Sequence, residues 1–279
     1  MKQKILTLQT LYREGQIQLK DSGIEEYQLD AWYLLEYVTG ISKASYYGDP
    51  NRELSAAQAE EYRKCIEKRS ERIPLQHITG VQEFMGHEFF VNEHVLIPRQ
   101  DTEILVEHAL DKVEDGKKVL DMCTGSGCIL LSILKRYQVQ GTGADISSEA
   151  LQVAERNRKH LALPQVEWLQ SDLFEKIEEK YDVIVSNPPY IQTGVIESLQ
   201  EEVRLHDPYI ALDGKEDGLY FYRRIIEDAK AYLEDGGWLL FEIGYDQAEP
   251  VTRLMEQAGY SEIHVKKDLS GLDRVAGAR

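Results

Sequence analysis

The sequence predicts an α/β fold in which a mostly parallel seven-stranded sheet with helices on both faces follows a small helical domain and a β-hairpin linker. Three observations support this prediction. Apolar side chains recur at helical spacing over residues 1–83, aromatic and β-branched residues dominate residues 84–97, and strand patterns alternate with helical patterns over residues 98–279. We expect these three ranges to be the helical domain, the linker and the sheet domain.

Within the first range, periodicity and end signals predict helices. Ile5, Leu8 and Leu11 recur at the spacing of one helical face. Gly40 is suited to end a helix in the left-handed conformation, and Ser55–Gln58 has the spacing of a capping box at a helix start. We therefore expect several short helices in this range.

The last range contains seven strand candidates, at residues 117–123, 141–146, 166–172, 181–187, 238–244, 262–268 and 273–279. Ser147 is expected to cap the helix after the second strand, and Gly236-Gly237 to end the helix before the fifth. Strands joined by helices pair in parallel because the helical crossover returns the chain to the same end of the sheet.

The composition makes a free-standing nucleic-acid-binding protein a poor candidate. The 279 residues are enough for two cores, and 49 Asp and Glu residues oppose 32 Lys and Arg residues, which gives a net charge of −17. Proteins that bind duplexes gain affinity from cations that neutralise phosphates. We expect no direct DNA binding, although a local basic patch is compatible with this total.

The cysteines, the histidines and the lengths of the apolar runs argue against a disulfide-bonded, metal-binding or membrane protein. Cys65, Cys123 and Cys128 form no C-x-x-C pair, and no histidine lies at zinc-ligand spacing from them, so neither a disulfide nor a metal site is expected. No apolar run is long enough to span a bilayer, and the first residues lack the apolar segment of a signal peptide. We expect a cytoplasmic monomer that does not associate with membranes.

A glycine-rich turn follows the first strand candidate. Gly125 and Gly127 let the backbone approach a ligand closely, and the turn leads into a helix N-terminus whose free N–H groups point outward. A dinucleotide site would need a third glycine at the position of Leu130. The turn therefore indicates an adenosine ligand without a pyrophosphate, or only a tight connection.

Acidic residues end the next two strand candidates. Asp145 is placed to accept hydrogen bonds from the ribose hydroxyls of an adenosine ligand, since it follows the glycine turn by about 20 residues. Asp172 is placed either to meet the adenine amino group or to cap a helix. Leu173 and Phe174 are expected either to pack on the adenine or to lie in the core.

The fourth strand candidate ends in the most informative stretch of the chain, Asn187-Pro188-Pro189-Tyr190. The two prolines fix two φ angles and remove two N–H donors, which leaves a stiff turn with free carbonyl acceptors. Asn187 Oδ1 and the Pro188 carbonyl can each accept one N–H of a planar NH2 group, and Tyr190 can stack on that group. We interpret this turn as a catalytic site for chemistry on a planar nitrogen, in preference to a bare strand-end turn.

The glycine turn, Asp145 and the turn at residues 187–190 together resemble the class I methyltransferases that act on planar nitrogen. Residues 74–80 (PLQHITG), 98–103 (PRQDTE) and 241–244 (FEIG) make the chain similar to the peptide chain release factor glutamine methyltransferases over nearly its whole length. The resemblance implies a Rossmann-like domain, S-adenosylmethionine as methyl donor and S-adenosylhomocysteine as product. The implied substrate is the glutamine of the Gly-Gly-Gln motif of peptide chain release factors, methylated on side-chain nitrogen N5.

The resemblance also assigns roles. The helical domain would recognise the release factor, and Asn187, Pro188 and Tyr190 would carry the catalysis. Cofactor contacts are implied for Cys123, Thr124, Gly125, Ser126, Gly127, Asp145, Leu173 and Asn187, and the strand-end position adds Asp172. Contacts to the substrate glutamine are implied for Asn187, Pro188, Pro189 and Tyr190.

Two residues depart from the family pattern, and one motif has two interpretations. Cys123 stands where the family has a glycine, and His77, which we expect to be a packing residue, stands where a tyrosine is common. Residues 99–103 either cap a helix, through Asp101 or Thr102, or close over the methionine part of the cofactor together with Arg99.

Other functions remain open at this point. The same turn would suit methylation of a ribosomal protein glutamine or of an exocyclic amine in DNA or RNA, and a cofactor-sensing binding module or a nicotinamide dehydrogenase are more distant alternatives. Residues 191–218 carry seven carboxylates against Arg204 and Lys215. If this segment borders the target site, we expect it to repel phosphates and attract a basic protein surface; otherwise it is a solvated loop.

Overall fold

The computed structural model describes residues 6–279, so the predicted helical position Ile5 lies outside the described residues. The chain divides into two compact units. The first unit comprises the residues up to Gly80 together with Glu201–His206, and the second comprises Val81–Gln200 together with Asp207–Arg279.

The first unit is helical, as its periodicity predicts. Its helices are α1 (Leu8–Asp21), α2 (Tyr27–Thr39), α3 (Lys43–Gly48), α4 (Ala56–Ser70), α5 (Leu75–Thr79) and, from later in the chain, α10 (Glu201–His206). The end signals are confirmed: Ser55 and Gln58 form a capping box at the start of α4, and Gly40 ends α2 with φ of +66°. Leu11, Trp32 and Tyr62 lie in its buried core.

Ion pairs tie α10 to the rest of this unit. The Arg69 guanidinium lies 2.7 Å from Asp30 and 3.1 Å from Glu202, and these side chains are largely buried. Arg72 reaches both Glu201 and Glu202, at 3.4 and 3.3 Å. A buried pair is costly to break because it leaves an uncompensated charge, so these arginines fix the helix in place.

The second unit opens with an antiparallel hairpin of β1 (Val81–Phe84) and β2 (His87–Phe90). The hairpin begins before the predicted segment of residues 84–97 and ends within it, and the described backbone after Phe90 has no further strand before α6 (Gln100–Leu110). Asn157 on a later helix bonds both the N–H and the carbonyl of Phe90. This contact joins residues far apart in the chain and fixes the position of the hairpin, so the local sequence pattern does not predict it.

The predicted seven-stranded sheet is confirmed. Its strands are β3 (Lys118–Met122), β4 (Gln140–Asp145), β5 (Glu167–Gln170), β6 (Tyr181–Ser186), β7 (Leu233–Glu242), β8 (His264–Lys267) and β9 (Asp273–Ala278). The order across the sheet is β5-β4-β3-β6-β7-β9-β8, and β9 alone runs opposite to the other six strands. The strand order reverses between β3 and β6, which is the place where parallel α/β sheets bind ligands.

Helices cover both faces of this sheet and bury two apolar cores. After α6 they are α7 (Cys128–Arg136), α8 (Ser148–His160), a 3-10 helix (Leu173–Lys176), α9 (Thr193–Ile196), α11 (Tyr209–Leu212), α12 (Tyr220–Tyr232) and α13 (Ala248–Gln257). Ser147 caps α8 as predicted, by accepting from the Ala150 N–H at 3.1 Å.

The predicted end of α12 is wrong by several residues. The helix ends at Tyr232, and Gly236-Gly237 lie inside β7. The pairing of β6 with β7 shifts register between Tyr181 and Val183, opposite this segment. The glycines therefore serve an irregular strand start and not a helix end, because Gly236 has φ of +77°.

Within residues 6–279, no helix has the length and apolar character needed to cross a membrane. The same residues contain no cluster of three or more histidine, cysteine, aspartate or glutamate side chains suited to a metal ion.

Candidate active site

A cavity lies at the carboxyl ends of β3, β4 and β6, where the strand order reverses. It encloses about 1000 Å³, counting the space that opens to solvent. The glycine turn after β3, the end of β4, the start of the 3-10 helix and the turn after β6 line one side, and residues 94–99 and 208–211 line the other. Its mostly apolar walls, with a few polar groups among them, suit a small-molecule ligand.

The glycine turn folds back on itself through left-handed backbone conformations. Cys123, Gly125 and Gly127 have φ of +62°, +54° and +77°. Such angles cost a residue with a Cβ about 1–2 kcal/mol, so the backbone favours a glycine at the position of Cys123. A Cβ at Gly125 would meet only open space, whereas one at Gly127 would crowd Ala154 and other side chains. Gly125 therefore faces the cavity, and Gly127 serves packing.

Most of the predicted cofactor residues meet in this cavity. Cys123, Thr124, Gly125 and Ser126 line it, as do Asp145, Asp172, Leu173 and Asn187, whereas Gly127 does not. Burial raises the pKa of the Cys123 thiol, which keeps it neutral. The thiol is therefore a wall of the cavity and not a nucleophile.

Asp145 joins the glycine turn to the next helix. Its Oδ2 accepts from the Gly125 N–H and its Oδ1 from the Ser147 N–H, each at 2.9 Å. Burial raises the pKa of Asp145, and these backbone donors oppose that rise. Each carboxylate oxygen keeps a second lone pair, so a diol in the cavity can bind both.

The three residues predicted at the end of β5 have different contacts. Asp172 lines the cavity and accepts from Arg224 at 2.8 Å, and no side-chain cap bond from Asp172 holds the 3-10 helix. Leu173 faces the cavity with φ of +50°, while Phe174 stacks on Tyr232 in the core. Phe174 therefore lies in the core alone, whereas Leu173 belongs to the same core and also lines the cavity.

The proline turn after β6 presents Asn187 and Pro189 to the cavity. Pro188 is buried, and neither it nor Tyr190 is among the described residues that line the cavity. Asn187 Nδ2 donates to Thr102 Oγ1 at 3.3 Å. Because the amide nitrogen is engaged there, Oδ1 is the atom of Asn187 left to accept from a ligand.

Hydrogen bonds and close backbone packing hold Tyr190 in place. Its hydroxyl donates to Glu242 Oε1 at 3.2 Å, and its carbonyl accepts from Gln247 Nε2 at 3.0 Å. A Cβ added at Gly214 would lie 2.7 Å from the Tyr190 Cα, and one at Gly218 would clash with the Tyr190 carbonyl oxygen. Only glycines fit against this backbone, so the turn is enclosed on several sides.

Comparison with known proteins identifies the family. The chain matches the PrmC N-terminal domain over residues 10–80 and the methyltransferase small domain over residues 99–204. A release factor glutamine methyltransferase of Geobacter sulfurreducens is 40% identical over 264 residues, covering 94% of this chain and 92% of that protein. One of Clostridium acetobutylicum is 42% identical over 264 residues, covering 92% and 93%.

The chain belongs to the release factor glutamine methyltransferase family. It is accordingly an enzyme. A methyltransferase from Pyrococcus furiosus aligns with a TM-score of 0.56 at 18% identity, over 76% of this chain and 98% of that one, and this likeness supports the fold.

In this member of the release factor glutamine methyltransferase family, the prediction that Asp101 or Thr102 caps α6 is wrong. The alternative, that residues 99–103 close over the methionine part of the cofactor, stays a prediction. Arg99 and Thr102 line the cavity, but no side chain caps α6 at its first turn. Asp101 pairs with Arg274 at 3.1 Å, and Glu103 accepts from the Met85 N–H of the hairpin at 2.6 Å. With the Thr102 bond to Asn187, the motif therefore joins α6 to β9, to the hairpin and to the proline turn.

Two buried carboxyl groups lie behind the two turns, and sequence reasoning gave neither of them a role, although Glu242 belongs to the FEIG stretch that supports the resemblance. Asp121 is fully buried and accepts from the Thr124 hydroxyl at 2.6 Å, and burial raises its pKa to about 7. Glu242 is 3% exposed, and burial raises its pKa to about 7 as well. A lone carboxylate inside the apolar strand WLLFEIG is a signal that could have marked Glu242.

The acidic segment of residues 191–218 is largely neutralised within each unit. Glu201 and Glu202 pair with arginines of the first unit. In the second unit, Asp207 pairs with Arg99, Asp213 with Lys215, and Asp217 with Arg223. At least five of the seven carboxylates thus have a cationic partner, so the expected repulsion of phosphates by this segment is weaker than the sequence suggested.

Proposed function

We propose that this chain transfers a methyl group from S-adenosylmethionine to side-chain nitrogen N5 of the glutamine in the Gly-Gly-Gln motif of peptide chain release factors. One observation carries the proposal: Asn187, with its amide nitrogen engaged by Thr102, turns an acceptor oxygen to a cavity whose other wall suits an adenosine ligand. The names of relatives about 40% identical over nearly the whole chain support the same substrate.

The cavity fits the methyl donor. Asp145 would accept from the ribose hydroxyls, Leu173 would pack against the adenine, and Asp172 would approach its amino group. The open space at Gly125 lets the turn approach the ligand without a side chain between them. When bound, S-adenosylmethionine supplies a methyl group on a positively charged sulfur.

The proline turn addresses the difficulty of the acceptor. An amide nitrogen is a weak nucleophile because its lone pair is delocalised, and no described residue of the cavity is basic enough to deprotonate it beforehand. Asn187 Oδ1 and the Pro188 carbonyl would each accept one N–H, so that the lone pair faces the methyl carbon. Transfer forms the new N–C bond, returns the C–S electrons to sulfur and releases one N–H proton to water. Such alignment can contribute roughly 7–11 kcal/mol to lowering the barrier.

The remaining assignments belong to the same proposal. Residues 1–83 would form the release factor recognition domain, residues 84–97 the linker and residues 98–279 the catalytic domain. Pro189 and Tyr190 would contact the substrate glutamine, with Tyr190 among the catalytic residues. The enzyme would act as a cytoplasmic monomer, without membrane association or direct DNA binding.

The alternative is a related N-methyltransferase acting on a ribosomal protein glutamine or on an exocyclic amine of DNA or RNA. The two acceptors at the proline turn would serve any planar NH2 group, and the neutralised segment at residues 191–218 removes one charge argument against nucleic acid. A base inside a duplex would first have to be flipped out.

Methyl transfer with labelled S-adenosylmethionine separates these functions. The purified chain is offered release factor, ribosomes, RNA and DNA in parallel, and the modified release factor residue is located by tandem mass spectrometry. We expect label on the Gly-Gly-Gln glutamine alone. Label confined to nucleic acid or to a ribosomal protein would contradict the proposal.

A further inference from the structure

Glu242 is a buried carboxyl group for which stability offers no explanation. It ends β7 beside the proline turn, because Phe241 is in register with Ser186 of β6. Among residues 6–279 no lysine, arginine or histidine forms an ion pair with it, and its Oε2 is buried without a hydrogen-bond partner. Burying an unpaired carboxylate costs several kcal/mol, which suggests a role other than stability.

The donors around Glu242 belong to the proline turn and its support. The Tyr190 hydroxyl donates to its Oε1 at 3.2 Å, and the polar side chains of Thr102 and Asn187 lie close enough to oppose the rise of its pKa. Thr102 Oγ1 accepts from Asn187 Nδ2 at 3.3 Å, so its own proton is free to go on to the carboxylate. Asn187 is thus bonded to Thr102, and Thr102 lies beside Glu242, so a relay from Asn187 through the Thr102 hydroxyl can end on the carboxylate.

The direction of this chain determines which atom of Asn187 meets the substrate. An amide can sit in two orientations related by a flip, with oxygen and nitrogen exchanged. A carboxylate accepts and does not donate, so a chain ending on it draws the amide nitrogen inward. The flipped Asn187 would present N–H donors to the N–H donors of a substrate amide.

We propose that Glu242 is a positioning residue of the methyl transfer, which fixes the orientation of the Asn187 amide through Thr102. Its direct bond to the Tyr190 hydroxyl fixes the other end of the same turn. This inference rests on the proposed function, because it assigns Asn187 Oδ1 to the substrate nitrogen.

The ionised form of Glu242 is the one that accepts from all of these donors. The charged and titratable groups that face this end of β7 include Asp101 of α6, which raises the pKa of Glu242, and Arg274 of β9, which lowers the pKa of Tyr190. Tyr190 itself and Cys128 of α7, whose thiol pKa Glu242 helps to raise, also face it. Tyr222 of α12 donates to the Glu242 carbonyl at 2.8 Å. Burial places the pKa of Glu242 at about 7, so transfer should speed up as pH rises through that value.

The test compares Glu242→Gln with wild type in single-turnover methylation of a release factor. Glutamine keeps the size but replaces one acceptor with a donor that opposes the Tyr190 and Thr102 hydroxyls. We expect the rate to fall roughly 100-fold, as a misplaced reacting group does. The Kd for S-adenosylmethionine should stay within about twofold, and the acidic limb of the pH profile should disappear. Glu256→Gln makes the same chemical change on the exposed face of α13 and should leave rate and profile as in wild type.

Each other result has a defined meaning. A Glu242→Gln enzyme with the wild-type rate and pH profile overturns the inference, and so does a loss of rate matched by an equal loss of cofactor affinity and of thermal stability. If wild type itself methylates no release factor glutamine, the proposed function fails before the variants are compared. Thr102→Val, which removes the relay hydroxyl at similar volume, provides a second test should Glu242→Gln not fold; a wild-type rate in that variant would also overturn the inference.

Discussion

The two turns at the carboxyl edge of the sheet offer opposite hydrogen-bonding groups. The glycine turn, residues 123–127, has a left-handed backbone that would bring N–H groups and a small surface to the proposed cofactor. The proline turn, residues 187–190, has no N–H at its two prolines and offers oxygen acceptors. The glycine turn would therefore bind the cofactor by donating hydrogen bonds and leaving space for it. The proline turn would bind the substrate amide by accepting hydrogen bonds in a fixed direction.

The turns also differ in what supports them. The glycine turn is held by partners closer in the chain. Gly127 donates to the Thr124 carbonyl at 2.8 Å, Gly125 donates to the Asp145 side chain 20 positions away, and the Ser126 carbonyl accepts from Asn157, 31 positions away. The proline turn has few donors of its own. It depends on side chains that lie 85, 52 and 57 positions away in the chain, from Thr102, Glu242 and Gln247 respectively. Distant changes should therefore affect the proline turn more than the glycine turn.

The largest expected effect is at the proline turn. Asn187→Ala removes one of the two acceptors, so the substrate nitrogen is no longer aligned. We expect kcat to fall at least ~100-fold, while the Kd for S-adenosylmethionine rises only a few-fold. Isothermal titration with single-turnover kinetics measures both quantities, and near-normal turnover would refute the role of Asn187.

The same comparison predicts the reverse pattern at the glycine turn. Asp145→Ala removes the acceptor of two backbone N–H groups and the acceptors proposed for the ribose. Hydrogen bonds to charged groups contribute about 1.5–3 kcal/mol, so cofactor affinity should weaken roughly 10- to 100-fold. The rate at saturating cofactor should change much less. Unchanged affinity would show that the ligand lies elsewhere.

A smaller effect concerns Asp121, the carboxyl group behind the glycine turn. Burial raises its pKa from 3.8 to about 7, so the folded state binds a proton that the unfolded state releases. Its contribution to stability is full below about pH 4 and is lost as pH rises through about 7. The melting temperature of wild type should therefore fall between about pH 5 and pH 8. That of Asp121→Asn should fall by several degrees less over the same range. Parallel pH dependences in calorimetry would contradict this account.

The smallest expected effect separates backbone strain from chemistry at Cys123. Cys123→Gly relieves a left-handed conformation that a side chain disfavours, and we expect the free energy of unfolding to rise by about 1 kcal/mol. The methyl transfer rate should be unchanged, since the thiol stays neutral. Cys128→Ala, which removes a thiol from the start of α7, should give no such gain; denaturant unfolding of both variants decides the point.

Sequence reasoning predicted the glycine turn better than the proline turn, for the same physical reason. The seven strands, the Ser147 cap and the meeting of Gly125 with Asp145 follow from local periodicity and strand-end rules. The supports of the proline turn depend on which distant side chains the fold brings together. Glu242 and Gln247 leave no periodic mark, and Thr102 was expected to cap a helix or close over a ligand, not to bond Asn187.

The same limit explains the errors at element ends. The glycines at residues 236–237 suit a helix end by local rules, but pairing of β7 with β6 extends the strand over them. Asn157 likewise places the hairpin from a helix far along the chain. Tertiary hydrogen bonds decided both cases.

The most direct test of the central claim is a crystal structure of the chain with S-adenosylhomocysteine and a Gly-Gly-Gln peptide. We predict the glutamine nitrogen at hydrogen-bond distance, about 2.7–3.2 Å, from both Asn187 Oδ1 and the Pro188 carbonyl, with the sulfur on its open side. A glutamine amide bound away from that turn, or facing Asn187 Nδ2, would contradict the account.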